Sequence, residues 1–430
     1  MAVPARKADG ARALLDAWPE PSGEAGWARS ARNAAVARLN AMGAPVRRDE
    51  YWRFTDPAGL TVVPAAPAAL MEADGPPVFG DVDRLRIVFV DGVYDAEASD
   101  PLELAGVEIQ PLSEVLATDI HWAKDVFGVL EARGQDPVDR PLAALNTARA
   151  SVGTAIRATG RAERPVNLIY LHGSETSDVH IRHVIRLDEG ADLTILENGP
   201  AAARFNKVME VEVSDGASFH HVRMQGRDHE RRAATAIFTR LGRGSSFKSF
   251  TLTVNGRLTR NECVIEFTGD DAHATVAGAC AGDNDFHHDD TVFITHDALR
   301  CESRQVFKKV LRDGATGVFQ GKILVKQGAQ KTDGYQISQG LLLDEDSQFL
   351  SKPELEIYAD DVICSHGSTC GAVDETALFY LTSRGVPRRE AEGLLVLAFL
   401  DEAIAEIEDT RLADDTRGRL AAWLARRGRL

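Results

Sequence analysis

A thiol and an imidazole lie two positions apart near the C-terminal end of the sequence, at Cys364 and His366. On an extended strand, residues i and i+2 share one face, so both side chains point the same way if a strand runs through them. A thiolate and a neutral imidazole on one face can bind a borderline-soft metal, or can act as a sulfur-handling group and its base. The neighbouring Ser365, Gly367 and Ser368 are turn formers, however, and predict a turn at this point.

The elements that must position this pair are short. Residues 352–371 predict two strands that Asp360 and Asp361 interrupt. Each member of the pair also has an ordinary structural interpretation. Cys364 could be a small buried apolar residue, which is the commonest environment of free cysteine, and His366 could be a hydrogen-bonded turn histidine.

Other potential metal ligands are isolated or face different ways. Cys370 is six positions beyond Cys364, too far for a pair of ligands on a single turn. Adjacent strand residues point to opposite faces, so a His-His pair cannot easily bind one ion. Residues 283–290 are polar enough to bind a cation but are also typical of a solvated loop. The sequence therefore predicts structural roles for the histidines at 220–221 and 287–288 and for Cys263, Cys280 and Cys301.

The composition argues against several classes of protein. With 44% apolar and 27% charged residues, the 430-residue chain is typical of a globular protein with a sizeable core. The net charge of −16 would repel a phosphate backbone, so we expect no nucleic-acid partner. We expect no membrane span and no nucleotide site, because the sequence has neither a run of 18 apolar residues nor a G-x-x-x-x-G-K-[ST] loop. The odd number of cysteines, with first residues that lack a signal-peptide core, predicts a reduced cytoplasmic protein.

The periodicity divides the chain into three regions. Residues 1–150 are rich in alanine and arginine and predict mostly helix, including helices over residues 11–18 and 24–42. Residues 151–373 predict short alternating strands, and Gly190, Gly216 and Gly244 recur at intervals of 26 and 28 residues. Such an interval is too long for a hairpin and suits one turn of a β-solenoid whose corners use glycine. Helical periodicity returns in residues 374–430.

This pattern predicts a mainly β fold, with a right-handed parallel β-helix (β-solenoid) core flanked by N-terminal and C-terminal α-helical regions. At about 4.8 Å per turn, residues 151–375 would form a stack of about eight turns. We expect the N-terminal helices to cover one end of the solenoid, and the motif around His366 to lie at the other. A sandwich of antiparallel strands is the alternative, because it also has short alternating strands.

The C-terminal region predicts two main helices. Asp374 is a good N-cap and Gly385 a good C′ residue for a helix over residues 375–384. A second helix, over residues 388–408, is apolar on most sides, so one side could pack internally and another could contact a partner. Residues 421–430 predict a weak amphipathic helix. The apolar stripe of the second helix contains Val396, Phe399, Leu400, Ala403, Ile404 and Ile407, and Leu394, Leu395 and Leu397 lie outside it.

Residues 352–371, with the sequence KPELEIYADDVICSHGSTCG, and residues 374–385 resemble the signature of the SufB/SufD family. Members of this family are scaffold proteins of bacterial and plastid iron–sulfur cluster assembly. The resemblance continues upstream over residues 321–333 and downstream into the helix at 390–407, so it covers roughly the last third of the chain. Residues 51–56, with the sequence YWRFTD, resemble an element near the SufD N-terminus, which favours the SufD branch over SufB.

The resemblance implies a scaffold, not an enzyme, within a SufBCD complex. The chain would pair with a SufB-like subunit through the C-terminal end of its solenoid, where His366, beside Cys364, would handle iron or sulfide. His366 is then the candidate metal ligand, and a transient iron–sulfur cluster would be shared with the SufB-like subunit. The resemblance also implies reduced flavin in the assembled complex, and a homodimer stays open for the isolated chain. A SufC-like ABC ATPase would dock on the second C-terminal helix through Leu394, Leu395, Leu397, Phe399, Leu400 and Ile404.

The alternative function is a β-helical hydrolase or lyase that acts on an acidic or sugar polymer. Such enzymes use clustered carboxylates along the outer groove of the solenoid, and Asp360 with Asp361 could supply a pair. The net charge of −16 and the lack of an export signal argue against this alternative.

Overall fold

The computed structural model of the chain describes residues 3–70, 77–226 and 230–427. These residues form two ten-stranded sheets, flanked by nine α-helices and two short 3₁₀ helices, Glu50–Trp52 and Trp122–Asp125. The prediction of a mainly β solenoid with helices on both sides of it in the chain is confirmed.

Sheet A contains, in spatial order, β2 (Val93–Asp95), β1 (Leu85–Val90), β6 (Val166–Leu171), β8 (Asp192–Gly199), β10 (Ser218–Gln225), β12 (Ser246–Val254), β14 (His273–Asp283), β16 (Glu302–Arg312), β18 (Asp333–Leu342) and β20 (Ile363–Gly371). Sheet B contains, in spatial order, β19 (Gln348–Ile357), β17 (Thr316–Val325), β15 (His287–His296), β13 (Leu258–Phe267), β11 (Arg232–Leu241), β9 (Arg204–Val213), β7 (Asp178–Leu187), β5 (Val152–Ala158), β4 (Val107–Pro111) and β3 (Glu103–Leu104).

From β5 onward the chain alternates between the two sheets, and each strand lies parallel to the strand two positions later. About seven turns of a parallel solenoid result, against the eight expected, and the antiparallel sandwich is excluded. At the first end, β2 and β4 pair antiparallel with β1 and β5. The sheets therefore extend upstream of residue 151.

The corners of the turns explain the glycine repeat. Gly190, Gly216 and Gly244 have φ angles of +70°, +66° and +61°, which residues with a Cβ rarely adopt. The Gly190 N–H donates to the Asp215 carbonyl in the next corner at 3.0 Å, and the Gly216 N–H donates to the Arg243 carbonyl at 2.8 Å. The repeat in the sequence therefore marks one stacked corner per turn, as predicted.

Apolar side chains fill the space between the two sheets. Phe219 and Phe247 stack on adjacent strands of sheet A, with ring centroids 5.6 Å apart. They belong to one buried cluster with Ile237 and Ile265 of sheet B. Burial of this apolar surface is the main contribution to the stability of the solenoid.

The N-terminal helices cover the outer face of sheet B, so the prediction that they cover one end of the solenoid is wrong. The outward residues Val184, Val208 and Ala236 form an apolar cluster with Ala143 and Phe127. Because a parallel sheet is normally covered on both faces, the helices pack on this apolar face. The predicted helices over residues 11–18 and 24–42 are present as α1 (Ala5–Asp16) and α2 (Gly26–Met42). The helices are α1 (Ala5–Asp16), α2 (Gly26–Met42), α3 (Ala58–Thr61), α4 (Leu112–Ala117), α5 (Val129–Arg133) and α6 (Pro141–Arg149).

The C-terminal region contains α7 (Glu375–Thr382), α8 (Arg388–Ile404) and α9 (Thr410–Arg427). The predicted caps of α7 are present: the Asp374 carboxylate accepts a hydrogen bond from the Thr376 N–H at 2.8 Å, and Gly385 has a φ of +87°. α8 and α9 pack on the outer face of sheet A, and α9 begins well before the predicted residue 421. None of the described helices has the length and apolar character needed to span a membrane.

Candidate functional site at the open end of the solenoid

The last two strands leave one end of the solenoid open. In the described part of the chain, β20 pairs only with β18, and β19 pairs only with β17. No residue of β19 or β20 is fully buried, whereas most residues of β15 are. Ile357, Tyr358 and Ile363 are exposed by 40%, 61% and 73%. We call β19, β20 and the connection between them the rim.

The free edge of β20 can be assigned residue by residue. In a parallel pair, alternate residues direct both their N–H and their C=O to the same neighbour. The Ile363 N–H donates to the Thr332 carbonyl at 2.8 Å, so the odd-numbered residues of β20 pair with β18. The backbone groups directed at the free edge are therefore those of Cys364, His366, Ser368 and Cys370.

The free edge of β19 has one gap. The Gln348 N–H donates to the Ala315 carbonyl at 2.9 Å, and the Tyr358 N–H donates to the Val325 carbonyl at 2.8 Å. Even-numbered residues therefore pair with β17, and Pro353 lies on the free edge, where a missing N–H is tolerated. β20 presents a complete edge to an added strand, and the edge of β19 lacks one donor.

The strand β20 runs through Ser365, His366 and Gly367, so the turn predicted at these residues is wrong. They pair in register with Tyr335, Gln336 and Ile337 of β18. Cross-strand pairing outweighs the local turn preference of serine and glycine here.

Cys364 and His366 consequently lie on one face of β20, as the strand hypothesis requires. Cys364 is in register with Gly334, where an added Cβ would lie 3.4 Å from Ile323 Cδ1 of sheet B. This face is therefore the one directed at the interior of the solenoid. The two residues are roughly 7 Å apart along the strand, which is close enough for a thiolate and an imidazole to reach one ion between them.

Cys364 is half-buried beneath the rim. A Cβ added at Gly334 would lie 3.3 Å from its Sγ, and the thiol packs beside the buried Ile323 and Val325. Burial raises the pKa of the Cys364 thiol and outweighs the hydrogen bond from the Gly334 N–H, which lowers that pKa. The thiol is therefore mostly protonated, and a bound metal would have to displace the proton.

His366 is exposed, and its ring forms no hydrogen bond with any residue in the described ranges. Behind it, on β18, the in-register Gln336 is fully buried. Cys370 is also exposed, on the same face and the same free edge. It lies roughly 13 Å from His366 along the strand, which is too far for both to bind one ion.

The N-terminal segment Glu50–Trp52 holds the outer side of β19. The Tyr51 hydroxyl donates to Glu354 Oε2 at 2.6 Å, and Lys352 Nζ lies 4.0 Å from the centre of the Tyr51 ring. Lys352 also pairs with Glu50 at 2.7 Å. A segment 303 residues upstream therefore fixes the last strand of sheet B.

Comparison with known families identifies the family of the chain. A family model described as "SUF system FeS cluster assembly, SufBD core domain" matches residues 170–399, which is more than half of the chain. The chain belongs to the SufBD family.

Three relatives have similar sequences over much of their length. The iron–sulfur cluster assembly protein SufD of Escherichia coli is 27% identical over 413 residues, which cover 90% of this chain and 91% of the relative. A SufBD family protein of Synechocystis is 26% identical over 403 residues, which cover 87% and 86%. SufD of Bacillus subtilis is 28% identical over 254 residues, which cover 57% of each chain. All three names describe assembly proteins.

Sequence reasoning missed a polar network inside this SufBD solenoid. The buried Glu197 carboxylate accepts hydrogen bonds from Lys207 Nζ at 2.8 Å and from the Tyr170 hydroxyl at 2.6 Å. It also contacts His221 Nε2 at 2.7 Å. The sequence did contain a signal for this network, because Glu197 and Lys207 each interrupt a series of apolar residues that face the interior.

Burial sets the titration of these groups. It lowers the pKa of His183 to about 3 and that of His221 to about 4. Burial alone would raise the pKa of Glu197, but Lys207 and His221 hold it well below its usual value. These histidines are neutral and the carboxylate is charged near neutral pH, which makes the network a structural feature.

The adjacent histidines face opposite ways, as predicted. His287 Nε2 contacts Thr55 Oγ1 outside sheet B at 2.9 Å, whereas His288 Nδ1 contacts Lys309 Nζ inside the solenoid at 2.8 Å. The interpretation of residues 283–290 as a solvated loop is wrong for β15, where Asp289 and Asp290 are buried and paired. Buried ion pairs let these carboxylates occupy a strand.

The remaining cysteines are buried. Burial raises the thiol pKa to about 12 in Cys263 and Cys280 and to about 11 in Cys301. Within residues 3–70, 77–226 and 230–427, no group of three or more His, Cys, Asp or Glu side chains is placed to hold a metal ion.

The predicted docking residues of α8 divide into two groups. Leu400 and Ile404 are buried against sheet A, so they are not available to a partner in this conformation. Leu397 and Phe399 are partly buried on the same side. Helical periodicity places these residues towards the core and leaves Leu394 exposed by 45%, with Leu395 partly exposed.

The neighbouring helix α7 adds two exposed aromatic residues that sequence reasoning missed. Phe379 is exposed by 72% and Tyr380 by 56%. We call Phe379, Tyr380, Leu394 and Leu395 the C-terminal apolar surface.

Two other expectations concern carboxylates and flavin. Asp361 forms an exposed ion pair with Lys331 at the corner between β19 and β20. A cavity beside Tyr170 and Glu197, between the sheets, has a volume of about 20 Å³. This volume holds about one water molecule and is too small for the isoalloxazine ring of flavin.

Proposed function

We propose that this chain is a SufD-like subunit of an iron–sulfur cluster assembly complex, and that its rim pairs with a SufB-like sister subunit. The observation that carries the proposal is the open rim itself, where β20 presents a complete free edge and His366 lies on that edge. The names of the relatives support an assembly role.

Pairing at the rim follows from the physics of strand edges. Unpaired N–H and C=O groups attract another strand, and the exposed Ile357, Tyr358 and Ile363 add apolar surface that a partner would bury. A sister subunit of the same fold would continue both sheets. The gap at Pro353 makes β20 the stronger pairing edge.

Pairing would place His366 and Cys364 at the boundary between the two subunits. Imidazole and thiolate suit iron, and amide and imidazole donors suit sulfide, so we infer that one of these substrates is handled there. The sister subunit would supply the further ligands that complete the site. The iron–sulfur cluster is then transient cargo shared by both chains.

We infer that a SufC-like ATPase docks on the C-terminal apolar surface. Phe379 and Tyr380 of α7 and Leu394 of the adjacent α8 are exposed apolar residues, and exposed apolar residues on neighbouring helices can mark an interaction site. Because the sequence has no phosphate-binding loop, the nucleotide would be bound by this partner. Leu400 and Ile404 would contribute indirectly, by holding α8 on sheet A.

Three expectations stay predictions: a cytoplasmic location, the absence of catalysis by the chain alone, and reduced flavin in the assembled complex. Whether the isolated chain forms a homodimer stays open. The cavity beside Tyr170 and Glu197 is too small for flavin, so that prediction concerns a surface completed by a partner.

Co-expression with SufB-like and SufC-like partners tests the proposal. Capture of both partners is expected with the unmodified chain and with His366→Ala, while His366→Ala should lower the iron content and cluster yield of the complex roughly tenfold. His273→Ala is the matched control, because His273 is exposed on the outer face of β14. Full iron content in His366→Ala, or failure to capture the SufB-like chain, would contradict the proposal.

A further inference from the structure

Two buried amides lie behind His366. Gln336 of β18 and Gln305 of β16 occupy the positions in register with His366 on consecutive strands of sheet A. Both side chains are fully buried, and in the described part of the chain neither amide nitrogen nor amide oxygen has a hydrogen-bond partner. Buried polar groups are nearly always satisfied, so four unsatisfied atoms in one row need an explanation.

Other polar side chains in and beside this row do form hydrogen bonds. Farther inside, the same row contains His221 and Ser249, where His221 Nδ1 contacts Ser249 Oγ at 2.9 Å. Beside the row, at the rim, the Ser338 hydroxyl contacts Ser351 Oγ at 3.0 Å and donates to Ser368 Oγ at 3.2 Å. Within this row, the unsatisfied polar side chains of the described structure are therefore the two amides that lead from the interior to His366.

The facing sheet makes room for the Gln336 amide. Gly321 of β17 has no side chain, and a Cβ at that position would lie 2.4 Å from Gln336 Oε1. An alanine at position 321 would therefore displace the amide. The fold keeps an unsatisfied polar group, and a glycine that accommodates it, where an apolar side chain could have filled the space. A buried polar group that lowers folding stability in this way is typical of functional positions.

We propose that Gln336, with Gln305 behind it, positions the His366 imidazole through a bound water that the two amides and the ring share. A buried water needs two to four polar partners, and these three groups supply them. An amide both donates and accepts, so it can orient the water and thereby fix which ring nitrogen carries the proton. The other ring nitrogen is then unprotonated and directed at the rim, where a metal ion would bind.

The inference rests on the proposed function of His366, but it can be tested on the full-length chain alone. In protein with ¹⁵N-labelled histidine, the ring nitrogen shifts of His366, assigned with His366→Ala, report the tautomer. Gln336→Met keeps the approximate shape and removes the amide. We expect it to shift the His366 ring signals towards a mixture of tautomers and to leave the denaturation midpoint unchanged or higher, because a buried unsatisfied group is removed.

Gln320→Met is the matched control. Gln320 is also buried, but its amide faces outward from sheet B and donates to the Tyr51 carbonyl at 3.1 Å. Its replacement should lower the denaturation midpoint and leave the His366 signals unchanged.

Unchanged His366 signals in Gln336→Met would overturn the inference, whether or not the midpoint falls. Iron content of the co-expressed complex separates this outcome from failure of the proposed function. If Gln336→Met alters the ring signals, but neither it nor His366→Ala alters the iron content, the positioning stands and the assigned role of His366 is wrong.

Discussion

Histidines in the middle of the solenoid and the histidine at its rim occupy equivalent inward positions but differ in environment. His183 and His221 lie on strands that are paired on both edges, and burial lowers their pKa values to about 3 and about 4. His366 lies on a strand with one free edge and is exposed. The presence or absence of the next turn, not the residue type, therefore decides which imidazole is exposed.

The two regions also differ in how their buried polar groups are hydrogen-bonded. In the middle, Glu197 is satisfied by Lys207, Tyr170 and His221. Near the rim, Gln336 is buried without a partner in the described structure. The Glu197 network is closed, whereas the amides behind His366 have unused hydrogen-bonding groups in the described structure.

The largest expected effect is a loss of folding stability at acidic pH, caused by the buried histidines in the middle of the solenoid. The folded pKa values of His183, His221 and His296, at about 3, 4 and 3, are below the ordinary value of 6.5. Below pH 6.5 the unfolded imidazoles bind protons and the folded ones do not, so the free energy of unfolding falls with pH. From pH 7 to pH 5 we expect a loss of about 2 kcal/mol per histidine. Denaturant titrations at pH 7, 6 and 5 measure this loss, and a flat profile would contradict it.

The next largest effect concerns the buried pair Lys207–Glu197. Lys207→Met leaves the buried carboxylate without its lysine, so the free energy of unfolding should fall by about 3–5 kcal/mol. Chemical denaturation at pH 7.5 measures the change. The double variant Lys207→Met with Glu197→Gln should recover most of the loss, since no uncompensated charge remains. Equal losses in the single and double variants would show that the charge pair is not the cause.

The smallest effect is expected at the rim and concerns binding. Ser368→Pro removes an N–H from the free edge of β20, and that N–H has no role in pairing with β18. Folding stability should change by less than about 1 kcal/mol, and affinity for the SufB-like subunit should fall roughly tenfold. Titration calorimetry with the purified partner measures the affinity.

Ser368→Ala is the control for this rim variant. It removes the hydroxyl that contacts Ser338 but keeps the backbone amide. Its affinity for the partner should match that of the unmodified chain, and a similar loss in both variants would mean that the edge amide is not what the partner recognises.

Particular residues show how far the sequence could be interpreted. The glycine corners at Gly190, Gly216 and Gly244 predict the solenoid because a left-handed corner excludes most other residues. Around His366, local preference predicts a turn and is wrong, because pairing with β18 holds the segment extended. Leu400 and Ile404 are equally apolar in any packing arrangement, and only the orientation of α8 on sheet A shows that they are internal.

The sequence by itself determined the glycine repeat, the alternation along the strands and the spacing of two positions between Cys364 and His366, because these depend on neighbours within a few residues. The tertiary structure decided which edge is free, which amides are left behind His366, and that Tyr51 holds β19 from 303 residues away. These features depend on contacts between distant segments, whose geometry no local pattern of side chains specifies.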